Sequence, residues 1–147
     1  MSEERLGHLT GWIRRRPSSL EFWELFLTTD RLIWCFAGET FSAALLRADM
    51  GETAREEIGS LSLEEIATYD ERNFEIPLDS LSTLRLIRGS RFRRPRLEIE
   101  WNGESRTLYS TKASDAQEEL VETLSQDPNL QDVSVAIDSR SSFFSRS

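Results

Sequence analysis

The stretch Glu21-Phe22-Trp23-Glu24-Leu25-Phe26-Leu27-Thr28-Thr29-Asp30-Arg31-Leu32-Ile33-Trp34-Cys35-Phe36-Ala37 decides the fold. Two apolar-rich runs, Phe22 to Leu27 and Leu32 to Ala37, flank the polar group Thr28 to Arg31. Aromatic and β-branched residues in short runs bounded by turn formers read as paired antiparallel strands. In the first run Trp23, Leu25 and Leu27 share one face, and Phe22, Glu24 and Phe26 the other. The second run alternates Leu32, Trp34 and Phe36 against Ile33, Cys35 and Ala37. Both faces are largely apolar, so the pattern predicts a hairpin covered on both sides, by the rest of a sheet and by a helix. Gly38 is expected to close it.

Upstream, Leu9 to Arg16 reads as a first strand, followed by a turn at Pro17-Ser18-Ser19. Downstream the period changes. Phe41, Ala44, Leu45 and Ala48 fall at i, i+3, i+4 and i+7, the stripe of an apolar helix face, and Gly51 weakens that helix. Ser62 is an N-cap and Glu65 completes a capping box, with Leu61 and Ile66 at the staple positions, so a short helix is expected over Leu63 to Tyr69. Residues 40–71 together read as an acidic helical insertion.

Strand character returns at Phe74, Ile76 and Leu78, with Pro77 marking a sheet edge or bend. Leu84, Leu86 and Ile87 continue to Gly89, and the loop Ser90-Arg91-Phe92-Arg93-Arg94-Pro95 follows. Next comes a sharp hairpin signal. Leu97, Ile99 and Trp101 alternate with Arg96, Glu98 and Glu100 before Asn102-Gly103, the dipeptide that type I′ turns prefer. Its return strand carries Leu108 inward and leaves one side wet. Ser114 and Gln117 form a second capping box, opening a helix with Leu120, Val121 and Leu124 on one face. Asp127-Pro128 stops it. Val133, Val135 and Ile137 alternate as a short last strand, and residues 139–147 read as a disordered tail.

This order of strands, helical insertion, strands and one amphipathic helix resembles the PH-like (GRAM-like) domains of bacterial and archaeal type. The motifs carrying the resemblance are Leu27-Thr28-Thr29-Asp30-Arg31-Leu32-Ile33 and Phe74-Glu75-Ile76-Pro77-Leu78-Asp79-Ser80-Leu81. It implies an α+β fold: a bent antiparallel sheet or partly open barrel, with a helical insertion and a C-terminal capping helix. The expected layout is a single domain over 1–138, with its core at about 9–125, the insertion at 40–71 and the tail at 139–147. The insertion resembles those of some archaeal members.

The chain has 147 residues and a net charge of −8, with 17 arginines and one lysine, Lys112. An acid excess with little lysine fits a salty cytoplasm or a high-GC genome. Charge is uneven: residues 39–80 carry three bases against eleven acids, and residues 81–112 carry eight bases against three acids. A lone Cys35 forms no internal disulfide. No apolar run reaches the roughly 20 residues that span a bilayer. These features are expected of a cytoplasmic protein, with a peripheral membrane position open.

The resemblance points to a binding module and not a catalyst. The leading expectation is a protein–protein adaptor or regulatory domain. The alternative is an anionic-lipid or phosphate binder using Arg14, Arg15 and Arg16 with Arg91, Phe92, Arg93, Arg94 and Arg96. Guanidinium groups pair bidentately with phosphate oxygens, and an aromatic ring between them suits a membrane interface. The bland alternative is that these arginines pair with the acidic insertion at 40–71, in solvated salt bridges of little worth. Phe143 and Phe144, between Arg140 and Arg146, could touch a membrane or a partner groove.

Catalysis draws little support. Cys35 reads as a buried small hydrophobe and His8 as a surface or strand-start residue. The adjacent acids Glu56-Glu57 and Glu64-Glu65 point about 100° apart on a helix and form no carboxylate dyad. No cofactor or metal motif is present in the sequence. Trp12, Trp23, Trp34 and Trp101 could stack on bases, but the acidic balance disfavours nucleic acid, and Trp34 and Trp101 fall on core faces.

Overall fold

The computed structural model describes residues 3–40, 52–90, 93–110 and 115–138. Three long antiparallel strands open the chain: β1 (Arg5–Arg15), β2 (Leu20–Thr28) and β3 (Arg31–Thr40). Helices α1 (Glu52–Gly59) and α2 (Leu63–Ala67) follow, then the edge strand β4 (Phe74–Pro77) beside β3. The second half holds β5 (Leu81–Ile87), β6 (Arg96–Trp101), β7 (Glu104–Ser110), α3 (Asp115–Leu124) and β8 (Ser134–Asp138). Two compact units result, Met1–Ile76 and Pro77–Ser147.

In the first unit the β2–β3 hairpin is buried on both faces, as its two apolar faces predict. Phe22, Phe26, Ile33 and Cys35 pack with Ile13 against Ile58 of α1 and Ile66 of α2. The opposite face holds Leu25, Leu27, Leu32 and Trp34, with the Trp34 ring stacked on Phe74 at 5.0 Å and Trp23 edge-on to Trp34 at 5.7 Å. Thr28 organises the turn. Its hydroxyl accepts from the Asp30 and Arg31 amides, both at 3.0 Å, and lies 2.5 Å from a Glu3 oxygen that also accepts from Arg31 Nε.

Several boundaries differ from the sequence pattern. Gly38 does not close the hairpin. The register jumps from Phe22↔Gly38 to Trp23↔Phe36, so Ala37 is an extra residue and Gly38, at φ +143°, lets β3 run on to Thr40. The first strand begins at Arg5, four residues before the expected Leu9. The Phe41 to Ala48 stripe lies outside the described residues, and α1 follows Gly51. In α2 the capping box stands: Glu65 N–H donates to Ser62 Oγ at 3.2 Å, and Ser62 N–H donates to Glu65 Oε1 at 2.9 Å. That helix ends at Ala67 and not Tyr69. Leu78 leaves the strand for a 3-10 turn over Leu78–Ser80, started by Pro77, and Leu81 N–H closes it on the Leu78 carbonyl.

In the second unit β5, β6 and β7 are antiparallel and β8 runs parallel to β5. The β6–β7 turn is Asn102 at φ +47° and Gly103 at φ +80°, positive at both central residues as a type I′ turn requires. Leu97, Ile99, Trp101 and Leu108 are buried, and Glu100 is exposed. Helix α3 packs on β8. Its buried side chains are Val121 and Leu124, while Leu120, expected with them, is only half-buried. Asp127 stops the helix by accepting from the Asn129 amide at 2.8 Å. Ser114 of the expected second capping box and the tail from Ser139 lie outside the described residues.

Candidate functional site

Arginine chemistry and one buried carboxylate supply the candidate sites. In the first unit Arg14 pairs loosely with Glu21 at 3.7 Å. Glu39 accepts from Ser19 Oγ at 2.7 Å and from Arg72 Nη1 at 2.9 Å. The Ser19 hydroxyl, then Arg72, hold Glu39 below the usual carboxylate range, and the Arg16 charge adds to this. Arg15 and Arg16 are exposed. The turn after β1 closes with Arg16 N–H on the Ser19 carbonyl at 2.9 Å.

In the second unit Arg96 Nε donates to Glu98 at 3.3 Å, and Arg85 reaches the same carboxylate at 2.6 Å. Arg85 also bridges to Asp138 of β8 at 3.1 Å, and Arg88 to Glu118 of α3 at 3.0 Å. The basic loop has a tight neck. Ser90 N–H donates to the Arg93 carbonyl at 2.8 Å, and a Cβ at Gly89 would meet Pro95 at 2.7 Å, so only glycine fits there. Arg93 and Arg94 are exposed and, among the described residues, carry no side-chain ion pair. Arg91 and Phe92 lie outside the described residues. Of the predicted arginines, Arg14 and Arg96 are therefore paired with carboxylates of a neighbouring strand and of their own strand, Glu21 and Glu98, and not with the acidic insertion as the sequence suggested.

The buried carboxylate was not expected. Glu24 is 1% exposed, on the helix-covered face of β2 between Phe22 and Phe26. His8 Nε2 lies in hydrogen-bond contact with its Oε1 at 2.7 Å, Thr10 Oγ1 donates to the same oxygen at 2.6 Å, and the Gly11 amide donates to Oε2 at 2.9 Å. His8, near the start of β1, is half-buried: it stacks on Phe26 with centroids 4.1 Å apart, and its side chain is 24% exposed. One sequence signal could have revealed this pair: a lone acid inside an otherwise apolar strand face demands a donor, and the chain has one histidine.

Cys35 is fully buried, its Sγ 3.8 Å from the Ile66 carbonyl, and burial pushes its thiol up to about 11. It stays protonated and is a poor nucleophile at neutral pH. All four tryptophans are buried, so none offers a platform for bases. Among the described residues no group of three His, Cys, Asp or Glu side chains could hold a metal ion, and no helix is long and apolar enough to cross a membrane.

No family model matches the chain, and no curated protein matches it. Among solved structures the chain is similar to the hSac2 domain from human phosphoinositide phosphatase Sac2, at 13% identity and a TM-score of 0.50 over 95% of this chain and 78% of that one. It is also similar to the Vps36 N-terminal PH domain, at 15% identity and a TM-score of 0.40 over 86% of this chain and 84% of that one. The second likeness is too distant to carry weight, and the first speaks to fold alone. The fold is α+β and PH-like, with a C-terminal helix.

Proposed function

We propose that the chain is a non-catalytic binding module whose ligand is a protein, acting as an adaptor or regulatory domain. The observation that carries this reading is the local neutralisation of five of its arginines. Arg14 meets Glu21, Arg72 meets Glu39, Arg85 and Arg96 share Glu98, and Arg88 meets Glu118. A phosphate arriving at these positions must displace a carboxylate already in place. Such partly exposed pairs are worth about 0–1 kcal/mol each, so they contribute little to stability, but they lower the net positive field that draws anions to a surface. The net charge of −8 acts in the same direction. The buried, protonated Cys35 and the His8 ring committed to Glu24 support a non-catalytic role.

A photo-reactive residue placed at Arg16, and separately at Arg94, tests this in cells. Protein adducts of discrete mass are expected. Adducts that extract into organic solvent with lipid would overturn the reading.

Anionic lipid is the second reading, favoured by the exposed Arg16, Arg93 and Arg94. The similar hSac2 domain comes from a phosphoinositide phosphatase. Under this reading Arg14, Arg15, Arg16, Arg91, Phe92, Arg93, Arg94 and Arg96 contact the headgroups, and the protein sits at a membrane surface from the cytoplasmic side.

A further inference from the structure

The β1 strand is interrupted where it passes Glu24. The register runs from Leu9↔Leu25 to Trp12↔Trp23, so Thr10 and Gly11 together oppose the single residue Glu24. This is a bulge, and Gly11 takes the positive φ of +80° that the extra residue needs. At the bulge the Glu24 carboxylate takes the Gly11 amide on one oxygen and meets Thr10 and His8 on the other. An ionised carboxylate only accepts, so His8 Nε2 must carry a hydrogen.

A carboxylate this deep needs a counter-charge or further donors. The charged and titratable groups on the elements around this face are few. Arg5 of β1 lies over the Phe26 ring at 4.8 Å, with its Nη2 bonded to the Leu61 carbonyl. Cys35 of β3 is buried and protonated. Glu57 of α1, with Tyr69 and Asp70 after α2, lie on the Cys35 side, and the two acids add negative charge. The cationic form of His8 is therefore the one group in bonding contact that can balance Glu24 among the described residues.

We propose that His8 and Glu24 form a proton-sensitive clasp on the β1 bulge. With the imidazolium present, the clasp is a charge-assisted pair that fixes the carboxylate beneath Thr10 and Gly11. When the ring releases its proton, a buried anion loses its counter-charge and the bulge opens more often. Stability conferred by the clasp is present on the acid side and lost as pH rises through the imidazole titration. His8 is the only histidine in the sequence, and imidazole is the side-chain type suited to a charge change near neutral pH. The clasp is independent of whether the module's ligand is protein or lipid.

The test is amide hydrogen exchange at Gly11 across that range, read as a protection factor so that the pH dependence of intrinsic exchange cancels. Ring protonation of His8 is followed by NMR in the same samples. Protection in the wild type is expected to fall roughly tenfold as the ring deprotonates, the scale of one hydrogen bond to a charged group. His8→Gln keeps a donor but cannot titrate, so its protection factor is expected to stay flat. A wild-type protection factor that stays flat while the ring deprotonates would overturn the clasp. So would a ring that holds its proton throughout, or a fall of equal size in His8→Gln.

Discussion

Glu24 in β2 and Glu100 in β6 each stand between apolar neighbours in a strand, and the two strands treat them in opposite ways. Glu100 alternates outward on a wet face and is exposed. Glu24 alternates onto a face covered by α1 and α2 and is buried with three donors. Alternation alone therefore does not tell a solvated glutamate from a structural one. What differs is the rest of the face. Around Glu24 it is phenylalanine, and around Glu100 it is Arg96 and Glu98. A single acid on an apolar face marks a polar contact inside the fold, and a row of charges marks water.

The largest effect is expected where both faces are buried. Phe26→Ala removes a ring that packs with Ile33 and the helices and stacks on His8, and should cost about 3–5 kcal/mol in urea denaturation. A loss below about 1 kcal/mol would mean the helix-covered face is not a packed core.

The glutamate pair gives the sharpest contrast. Glu24→Ala leaves Gly11, Thr10 and His8 facing a hole without their acceptor and should cost about 2–3 kcal/mol. Glu100→Ala should stay within about 0.5 kcal/mol. Equal costs would erase the distinction between the two hairpins.

A smaller effect belongs to the β6–β7 turn. Gly103→Ala forces a side chain into a left-handed conformation and should cost about 1–2 kcal/mol, seen as a lower urea midpoint at unchanged slope.

The smallest effect is expected from acid. Glu3, held low first by its bond to Arg31, Glu39, held low by Ser19 and Arg72, and Glu65, held low by the Ser62 amide, all lie in the first unit. Their folded values are depressed. The stability they contribute is therefore present above the ordinary carboxylate range and lost as pH falls through the folded values. Hydrogen exchange at the Ser62 amide should accelerate on acidification relative to amides in β6. Uniform behaviour in both units would count against these contacts.

Legibility followed the same division. The β6–β7 hairpin could be read almost residue by residue, because strict alternation and Asn102-Gly103 report on neighbours close in sequence. The Ser62 and Glu65 box was equally local. The misses are non-local. The bulges at Thr10-Gly11 and at Ala37 depend on which residues face each other across strands, and the pattern within one strand does not contain that information. The His8–Glu24 pair spans 16 residues, and its logic appears only once β1 is laid against β2. The arginine clusters were visible as a charge excess. The pairing of Arg85 depends on register, since Glu98 sits opposite it and β8 brings Asp138 beside β5, and this could not be read from the clusters themselves. Leu120 shows the limit of a helix stripe, since one face of α3 is shared unequally among Leu120, Val121 and Leu124.

The central claim is that carboxylates beside Arg14, Arg85, Arg88 and Arg96 balance enough of this module's basic charge that the exposed Arg16, Arg93 and Arg94 do not by themselves form an anion-binding surface. Co-sedimentation with phosphatidylserine-containing and with neutral vesicles, across a salt series starting at low ionic strength, tests it most directly. The control replaces Arg14, Arg15, Arg16, Arg93 and Arg94 with Ser. The account predicts that the folded protein stays in the supernatant with both vesicles, as the control does. Sedimentation with the anionic vesicles alone, abolished by salt and in the control, would contradict it.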